Sequence, residues 1–280
     1  MNPLIVNFVS VTLKLATFIS KSLSVSAAFR LFCYPSIRCK LKDTETNFMA
    51  NASLDKININ GSTVNVYGWG DGKRPILLIH GWESRGSRFA LLMDRLLTDG
   101  FSPITFDLPG HGDSGGKKTT IVECDQICAE LHRTYGKFEA VIAHSFGVPC
   151  AFYTLKNSIS SDRVIAISGL AEFQYLVDEF CRILRIHVEL KAGLVDRIEK
   201  LFVPLDNIWN RFSVAYESHN ITSSVLVIHD KHDEIVKIEQ GRKIASIFGQ
   251  QARFLETNGL GHSRVLKSEI VIDSISEFLN

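Results

Sequence analysis

The sequence predicts an α/β fold built on a doubly wound, mostly parallel sheet. Short, continuous apolar runs are typical of buried parallel strands. Helix-like segments alternate with them up to about residue 168. With 45% hydrophobic and 22% charged residues, the chain has the composition of an ordinary soluble globular protein. Its 280 residues suffice for one large α/β domain or two small ones.

The predicted elements follow one another in a regular order. Asn60 and Gly61 separate two short strands at residues 57–59 and 64–67, a pattern typical of a tight hairpin. Buried strands are predicted at residues 76–79, 103–106, 141–143, 164–167 and 225–228, with an edge strand at 252–255. Helices are predicted at residues 87–97, 119–135, 148–156, 238–248 and 268–279.

The alternation breaks between residues 170 and 220, where no buried strand can be read. Phe173, Val177 and Phe180 are among the apolar residues that recur there at helical spacing. We predict a small helical cap insertion, at about residues 170–222, within an α/β domain that spans residues 51–280. Ligands bind beyond the carboxyl ends of the strands in such sheets, so the cap would shape a pocket there. Ordinary core packing is the alternative.

Residues 1–50 match no motif and are predicted to be an N-terminal helical extension. One helical face carries Leu4, Phe8, Val11, Leu15 and Ile19, so we predict a helix that packs on the body of the protein. Polar residues interrupt the apolar segment and no basic residue precedes Lys14, unlike a membrane span or a secretory signal. We therefore predict a cytoplasmic location. Membrane association through residues 1–30 is the less favoured alternative, together with a cleaved signal.

Charge and cysteine content argue against several classes of function. The net charge is +1 and no run of Lys or Arg occurs, so a nucleic acid partner is not expected. The six cysteines form no C-x-x-C pair, which argues against a zinc site, and their scatter suits a reducing compartment. Cys124 and Cys128 lie one helical turn apart, a spacing that can also hold a metal, but they are interpreted as part of a buried helical face. No cofactor and no metal are predicted. The oligomeric state stays open.

The segment around Ser145 carries the strongest functional signal. Apolar residues typical of a strand run into Ser145, and a helix-like segment follows at once. A serine at a sharp strand-to-helix turn is the nucleophile elbow of serine hydrolases, although Ala143 stands where the G-x-S-x-G pattern has glycine. Ser114 fits that pattern letter for letter, but it lacks a preceding strand and a following helix. We interpret Ser114 as part of a Gly-rich loop.

A serine nucleophile needs a nearby base and a third group that orients this base. His262 lies in a Gly-rich loop between the last strand and the last helix, where its ring could reach a serine on another strand. Three acids follow the strand at residues 225–228, namely Asp230, Asp233 and Glu234. Their positions alone do not separate these candidates.

Acyl transfer also needs donors for a developing oxyanion, and fixed backbone amides suit this task. The amide of Phe146, directly after the proposed nucleophile, is one candidate. The second is the amide of Trp82, in the loop after the first buried strand. We expect Gly81 to permit an unusual backbone angle that turns the Trp82 amide inward.

Several motifs, spread from about residue 60 to the end of the chain, resemble those of the α/β-hydrolase superfamily and occur in the same order and at similar spacing. They are His80-Gly81-Trp82, residues 107–114, residues 143–147, residues 229–236 and Gly261-His262. The resemblance implies the α/β-hydrolase fold, with Ser145 as nucleophile, His262 as base and Asp233 as acid. It also implies an oxyanion hole formed by the amides of Trp82 and Phe146.

Dehalogenases and epoxide hydrolases of this superfamily use an aspartate nucleophile, which Ser145 argues against. We therefore predict a carboxylesterase-like serine hydrolase that cleaves esters of a small to medium apolar acyl substrate through a covalent acyl-enzyme. Thioesterase, acyltransferase and C–C bond hydrolase activities use the same triad and remain alternatives. A non-catalytic ligand-binding protein on this fold is a further alternative.

Overall fold

One eight-stranded sheet organises the computed structural model, which describes residues 3–280. Its strands are β1 (Ser53–Ile59), β2 (Ser62–Gly68), β3 (Pro75–Ile79), β4 (Ser102–Phe106), β5 (Phe138–His144), β6 (Ser161–Ile167), β7 (Ser224–Asp230) and β8 (Ala252–Thr257). They lie in the order β1-β2-β4-β3-β5-β6-β7-β8. Strand β2 pairs antiparallel with β1 and β4, and all other pairs are parallel. The prediction of a mostly parallel, doubly wound sheet is confirmed.

Helices cover both faces of this sheet. They are α1 (Pro3–Ile19), α2 (Lys21–Cys33), α3 (Asp43–Ala50), α4 (Ala90–Thr98), α5 (Ile121–Tyr135), α6 (Gly147–Asn157), α7 (Gln174–Ile183), α8 (Val188–Leu201), α9 (Ile208–Arg211), α10 (Ile238–Phe248), α11 (Gly261–Arg264) and α12 (Glu269–Leu279). Helices α5, α6 and α10 bury apolar side chains against one face, and α4 and α12 against the other. This two-sided burial explains why β3 is a continuous apolar run and why every residue of β4 is buried.

The β1–β2 hairpin turn has the predicted geometry, and the register of the parallel strands places the candidate site. Asn60 and Gly61 both have positive φ angles, 49° and 79°, which is the geometry of the tight turn that their sequence predicted. In the parallel part of the sheet, Ile79 is paired with Ala143, and Ala143 with Ala166. The carboxyl ends of β3, β5 and β6 therefore meet at one edge, and the residues that follow them lie next to one another.

Helices α7–α9 interrupt the alternation between β6 and β7. Val177 of α7 and Leu194 of α8 are fully buried and belong to the same apolar cluster as the sheet residues. Three aromatic rings in this region, Phe173, Phe202 and Phe212, stack edge to face. Core packing fixes these helices over the carboxyl edge of the sheet, so their inner faces can also line a pocket.

Helix α1 packs on the protein, but through the face opposite to the one that the sequence suggested. Leu13 is only 4% exposed, because it packs with Ala28 of α2 and with Leu184 after α7. Phe8, by contrast, is 73% exposed, and Leu4, Val11, Leu15 and Ile19 are exposed as well. The prediction of the packed face was wrong because α1 is apolar on both sides, and periodicity alone does not say which side docks. None of the helices within residues 3–280 is long and apolar enough to cross a bilayer.

The segment from α2 to α3 is fastened to the body by polar contacts. Glu45 of α3 is 3% exposed, accepts a hydrogen bond from Ser87 at 2.7 Å and forms an ion pair with Arg88. Arg88 also donates to the carbonyl of Lys40 at 3.0 Å. Because a carboxylate is buried only when its charge is compensated, this network ties residues 39–45 to the chain before α4.

Replacing Glu45 by Ala is expected to lower the free energy of unfolding by about 3 kcal/mol, because the largely buried Arg88 guanidinium then loses its carboxylate partner. Urea denaturation followed by circular dichroism measures this change. Asp43→Ala in the same helix is the control: Asp43 is exposed, so its variant should stay within about 0.5 kcal/mol of the parent. Equal stability of the two variants would contradict the anchoring role of Glu45.

Candidate active site

Ser145 lies at a sharp turn between β5 and α6. Its φ of 55° is in the left-handed region, which non-glycine residues rarely adopt, so the turn is strained. Gly147 begins α6 directly against the Ile79 carbonyl of β3, and a Cβ at this position would overlap that oxygen. Ala143 is fully buried in the core, which accommodates its methyl group where the sequence pattern has glycine. The structure therefore has the elbow geometry that the sequence predicted.

Ser145, His262 and Asp233 form a continuous chain of hydrogen-bonding groups. The Nε2 atom of His262 is 2.9 Å from Ser145 Oγ, and its Nδ1 atom is 2.8 Å from Asp233 Oδ2. With the carboxylate accepting from Nδ1–H, Nε2 is the unprotonated nitrogen and can accept the serine proton. The three predicted side chains thus come together from the segments that follow β5, β7 and β8, in a geometry able to activate a nucleophile. His262 lies in the short helix α11 and not in a loop, as the sequence had suggested.

Asp233 is buried, and its surroundings favour the carboxylate. The amides of Ile235 and Val236 donate to Oδ1 at 2.9 and 3.0 Å. Burial alone would raise the pKa of Asp233, but hydrogen bonds from His229, His262 and the Val236 amide outweigh it and hold the pKa well below its usual range. Asp233 therefore remains ionised and can orient the His262 ring across the neutral pH range.

The other two candidate acids do not contact His262. Asp230 accepts hydrogen bonds from the Leu260 amide at 2.9 Å and the Thr257 hydroxyl at 2.8 Å. Burial would raise its pKa, yet the backbone amides around it lower the pKa to about 2. Asp230 thus fastens the loop that carries His262. Glu234 is exposed, so the structure favours Asp233 among the three acids that the sequence left open.

The loop after β3 approaches Ser145 closely at Gly81. A Cβ on Gly81 would lie 2.8 Å from Ser145 Cβ and 3.1 Å from the His144 carbonyl. Gly81 does not have a positive φ angle, so the expectation of an unusual backbone angle was wrong. Glycine is needed here because no side chain fits between the loop and Ser145.

His80 fixes this loop. Its Nε2 atom accepts a hydrogen bond from the Leu108 amide at 3.0 Å, so the proton resides on Nδ1, which donates to the Gly81 carbonyl at 2.8 Å. Burial lowers the pKa of His80 to about 4, and the ring stays neutral. His80 therefore ties the loop after β3 to the loop after β4 without carrying charge near Ser145.

The amides of Trp82 and Phe146 are free to receive a ligand. In the described part of the chain, neither N–H donates to a carbonyl or a side chain. The two rings are in edge-to-face contact, with centroids 5.7 Å apart. This contact holds the two loops beside each other on either side of Ser145, an arrangement suited to binding a negatively charged oxygen.

Ser114 has a structural role, as its sequence context indicated. It is buried, its Oγ donates to the Asp107 carbonyl at 2.6 Å, and it accepts from the Asn65 amide at 2.9 Å. The Asp107 carboxylate accepts from the amides of Gly86 and Asp113, at 2.9 and 2.8 Å. The Gly-rich loop is therefore folded around Asp107, and the interpretation of Ser114 as a loop residue is confirmed.

An apolar pocket of about 290 Å³ opens above Ser145. The cap supplies part of its wall, including Leu176 and Phe202. Leu31 and Phe32, at the end of α2, also line it. Sequence reasoning missed this contribution of the N-terminal extension, because no local pattern reveals which distant surface the end of a helix will contact.

His144 is a second residue that the sequence reasoning did not identify. Its Nε2–H donates to the backbone carbonyl of His262 at 2.8 Å. Burial lowers the pKa of His144 to about 3, so it remains a neutral donor. It holds the backbone of His262 next to the elbow. The sequence feature that could have identified His144 is its position immediately before Ser145.

Comparisons with known proteins agree with this architecture. A family model described as "Alpha/beta hydrolase family" matches residues 76–218, about half of the chain. No curated protein sequence matches. Among solved structures, an esterase from Pyrococcus furiosus is similar with a TM-score of 0.64 and 20% identity, covering 88% of this chain and 97% of that one.

Two further solved structures are similar at lower identity. The alpha/beta hydrolase domain-containing protein 10 from mouse has a TM-score of 0.61 and 16% identity, over 81% of this chain and 97% of its own. A bacterial membrane phospholipase A has a TM-score of 0.59 and 15% identity, over 84% of this chain and 88% of its own. At these identities the similarity establishes the shared fold.

Proposed function

Since the chain belongs to the alpha/beta hydrolase family, we propose that it is a serine hydrolase that cleaves carboxylic esters of apolar acyl groups. The observation that carries this proposal is the contact chain from Ser145 through His262 to Asp233, at 2.9 and 2.8 Å, beneath an apolar pocket. A fold alone does not define an activity, but this arrangement of a nucleophile, a base and an orienting acid has a specific chemical use.

In the proposed reaction, Ser145 Oγ attacks the carbonyl carbon of the ester while His262 Nε2 takes the hydroxyl proton. The carbonyl electron pair moves onto oxygen, where the amides of Trp82 and Phe146 stabilise the negative charge. When this intermediate collapses, the bond to the alcohol oxygen breaks and His262 returns the proton to it. The acyl group is left on Ser145.

Water completes the cycle. His262 removes a proton from a water molecule as its oxygen attacks the acyl carbon, and a second oxyanion forms in the same place. Collapse of this intermediate releases the carboxylic acid, and the proton returns to Ser145 Oγ. Asp233 stays ionised throughout and stabilises the imidazolium that forms in each half of the reaction.

The lining of the pocket supports an apolar acyl group as the bound part of the substrate. Leu176, Phe180 and Phe202 offer apolar surface, and polar side chains such as Glu179 and Tyr175 are a minority of the lining. The similar structures include an esterase and a membrane phospholipase A. We propose a small to medium acyl chain, bound with its carbonyl at Ser145.

Labelling with a fluorophosphonate probe tests the proposal, because the probe forms a bond only with an activated serine. The parent protein should be labelled, and Ser145→Ala should not. Ser168→Ala is the matched control: Ser168 also follows a strand with a positive φ angle, and its buried hydroxyl has no hydrogen-bond partner among the described residues. Absence of labelling in the folded parent, or labelling that persists in Ser145→Ala, would overturn the proposal.

A further inference from the structure

Helix α1 carries a stripe of exposed apolar side chains. Phe8 is 73% exposed and Phe18 is 88% exposed. Four more apolar side chains on the same face of the helix are also exposed, namely Leu4, Val11, Leu15 and Ile19. The opposite face of α1, at Leu13, is the one that packs on the protein. A contiguous apolar surface of this kind marks an interaction site.

Exposed apolar side chains are concentrated in this part of the molecule. Ten of the seventeen large exposed ones within the described chain fall in residues 4–41. Residues 1–42 also contain six Lys or Arg residues and no Asp or Glu, although the whole chain has a net charge of only +1. The N-terminal extension therefore combines exposed apolar side chains with an excess of positive charge.

Part of this basic charge, together with Lys117 of the Gly-rich loop, is available to a partner. Lys14 precedes Leu15 at the border of the stripe and is exposed. Arg30 and Lys117 line a groove of about 680 Å³ together with Phe8. None of these three side chains forms an ion pair within residues 3–280. Positive charge beside exposed apolar groups complements a layer whose interior is apolar and whose outer face carries negative charge.

The stripe is continuous with the entrance of the Ser145 pocket. Leu31 lines both the groove that contains Phe8 and the pocket that contains Ser145. Ile183 and Ile235 also line the pocket, and both are exposed at its rim. A planar partner that contacts α1 would thus lie close to the opening of the pocket.

We infer that α1 docks the protein onto the surface of an anionic phospholipid bilayer. The apolar stripe would enter the interface between headgroups and acyl chains, while Lys14, Arg30 and Lys117 face the lipid phosphates. Helix α1 lies along the bilayer and does not cross it. Docking does not require the proposed activity. The consequence that acyl esters enter the pocket directly from the bilayer does rest on the proposed function.

Co-sedimentation of the full chain with vesicles tests this docking. Vesicles of equimolar phosphatidylcholine and phosphatidylglycerol should sediment the parent protein more strongly than vesicles of phosphatidylcholine alone, and added salt should weaken the binding. Phe8→Asp combined with Phe18→Asp should weaken binding by about tenfold or more, because two exposed anchors are lost. Both positions are largely exposed, so the fold should be kept.

Ile270→Asp provides the matched control, because Ile270 is 69% exposed on α12, which packs on the other side of the sheet. This variant should bind vesicles like the parent. Ser145→Ala should also bind fully, which separates docking from the proposed activity. The inference is overturned if the parent does not sediment with the anionic vesicles, or if the Phe8 and Phe18 double variant binds like the parent. It is equally overturned if light scattering shows a dimer that the double variant converts to a monomer, since a second copy would then cover the stripe.

Discussion

Asp233→Asn is expected to lower kcat by about 10⁴ while leaving KM and the fold nearly unchanged. In the unmodified protein, Oδ1 of Asp233 accepts hydrogen bonds from the amides of Ile235 and Val236. Oδ2 accepts a hydrogen bond from the Nδ1–H of His262. An asparagine must keep its carbonyl oxygen towards the two amides, so its NH₂ group faces His262. Nδ1 must then be the acceptor and Nε2 carries the proton.

A His262 ring in that tautomer cannot accept the Ser145 proton, although every atom stays close to its original position. Steady-state kinetics on a chromogenic acyl ester measures the loss, and thermal melting followed by circular dichroism checks the fold. A change confined to KM would contradict the proposed role, because an orienting acid acts on the reaction step and not on substrate binding.

Asp230→Asn is the matched control. Asp230 is the last residue of β7, three residues before Asp233, and is also buried, but it contacts Thr257 and Leu260 and not His262. The pKa of Asp230 is lowered from 3.8 to about 2 in the folded state. Its ionised carboxylate therefore stabilises the fold fully above about pH 4, and this stabilisation is lost as the pH falls towards 2. The variant should therefore lose stability at neutral pH and become less sensitive to acid. Its kcat should fall less than about tenfold; a loss as large as that of Asp233→Asn would reassign the acid.

The fold was largely predictable because local signals and burial agree in most elements. The Asn60-Gly61 turn needs two left-handed residues, and this pair adopts them readily. Buried strands such as β3 have no polar face, so their apolar runs are unambiguous. The Ser145 elbow could be found because its strand, turn and helix are contiguous in sequence. Contacts between neighbours in the chain are the ones that a sequence pattern records.

The remaining features depend on contacts between distant segments. Asp230 and Asp233 lie three residues apart at the end of β7, and only the position of His262, in α11, separates them. Helix α1 is apolar on both faces, so its docked side is decided by the complementary surface at Leu184. The contribution of Leu31 to the pocket likewise depends on where α2 docks. Residue types gave the candidates in each case, and tertiary packing selected among them.

Gly81→Ala is expected to lower kcat by about 10²–10³, the loss typical of removing one oxyanion donor. The new Cβ would lie 2.8 Å from Ser145 Cβ, closer than such atoms approach, so the loop after β3 must move away. This movement carries the Trp82 amide with it. Because Ser145, His262 and Asp233 lie on other elements, their contacts should persist, and fluorophosphonate labelling should slow down but not disappear.

Gly68→Ala provides the comparison for Gly81→Ala, since neither glycine has a positive φ angle. A Cβ on Gly68 would meet only the Ser53 and Tyr135 hydroxyls, at 3.0 and 3.7 Å, and both side chains can adjust. Kinetics on the same ester should then show a parental kcat for Gly68→Ala and a reduced one for Gly81→Ala at similar melting temperatures. If Gly81→Ala kept the parental kcat, the loop after β3 would not supply an oxyanion donor. The amide of Phe146 would then need a partner other than Trp82.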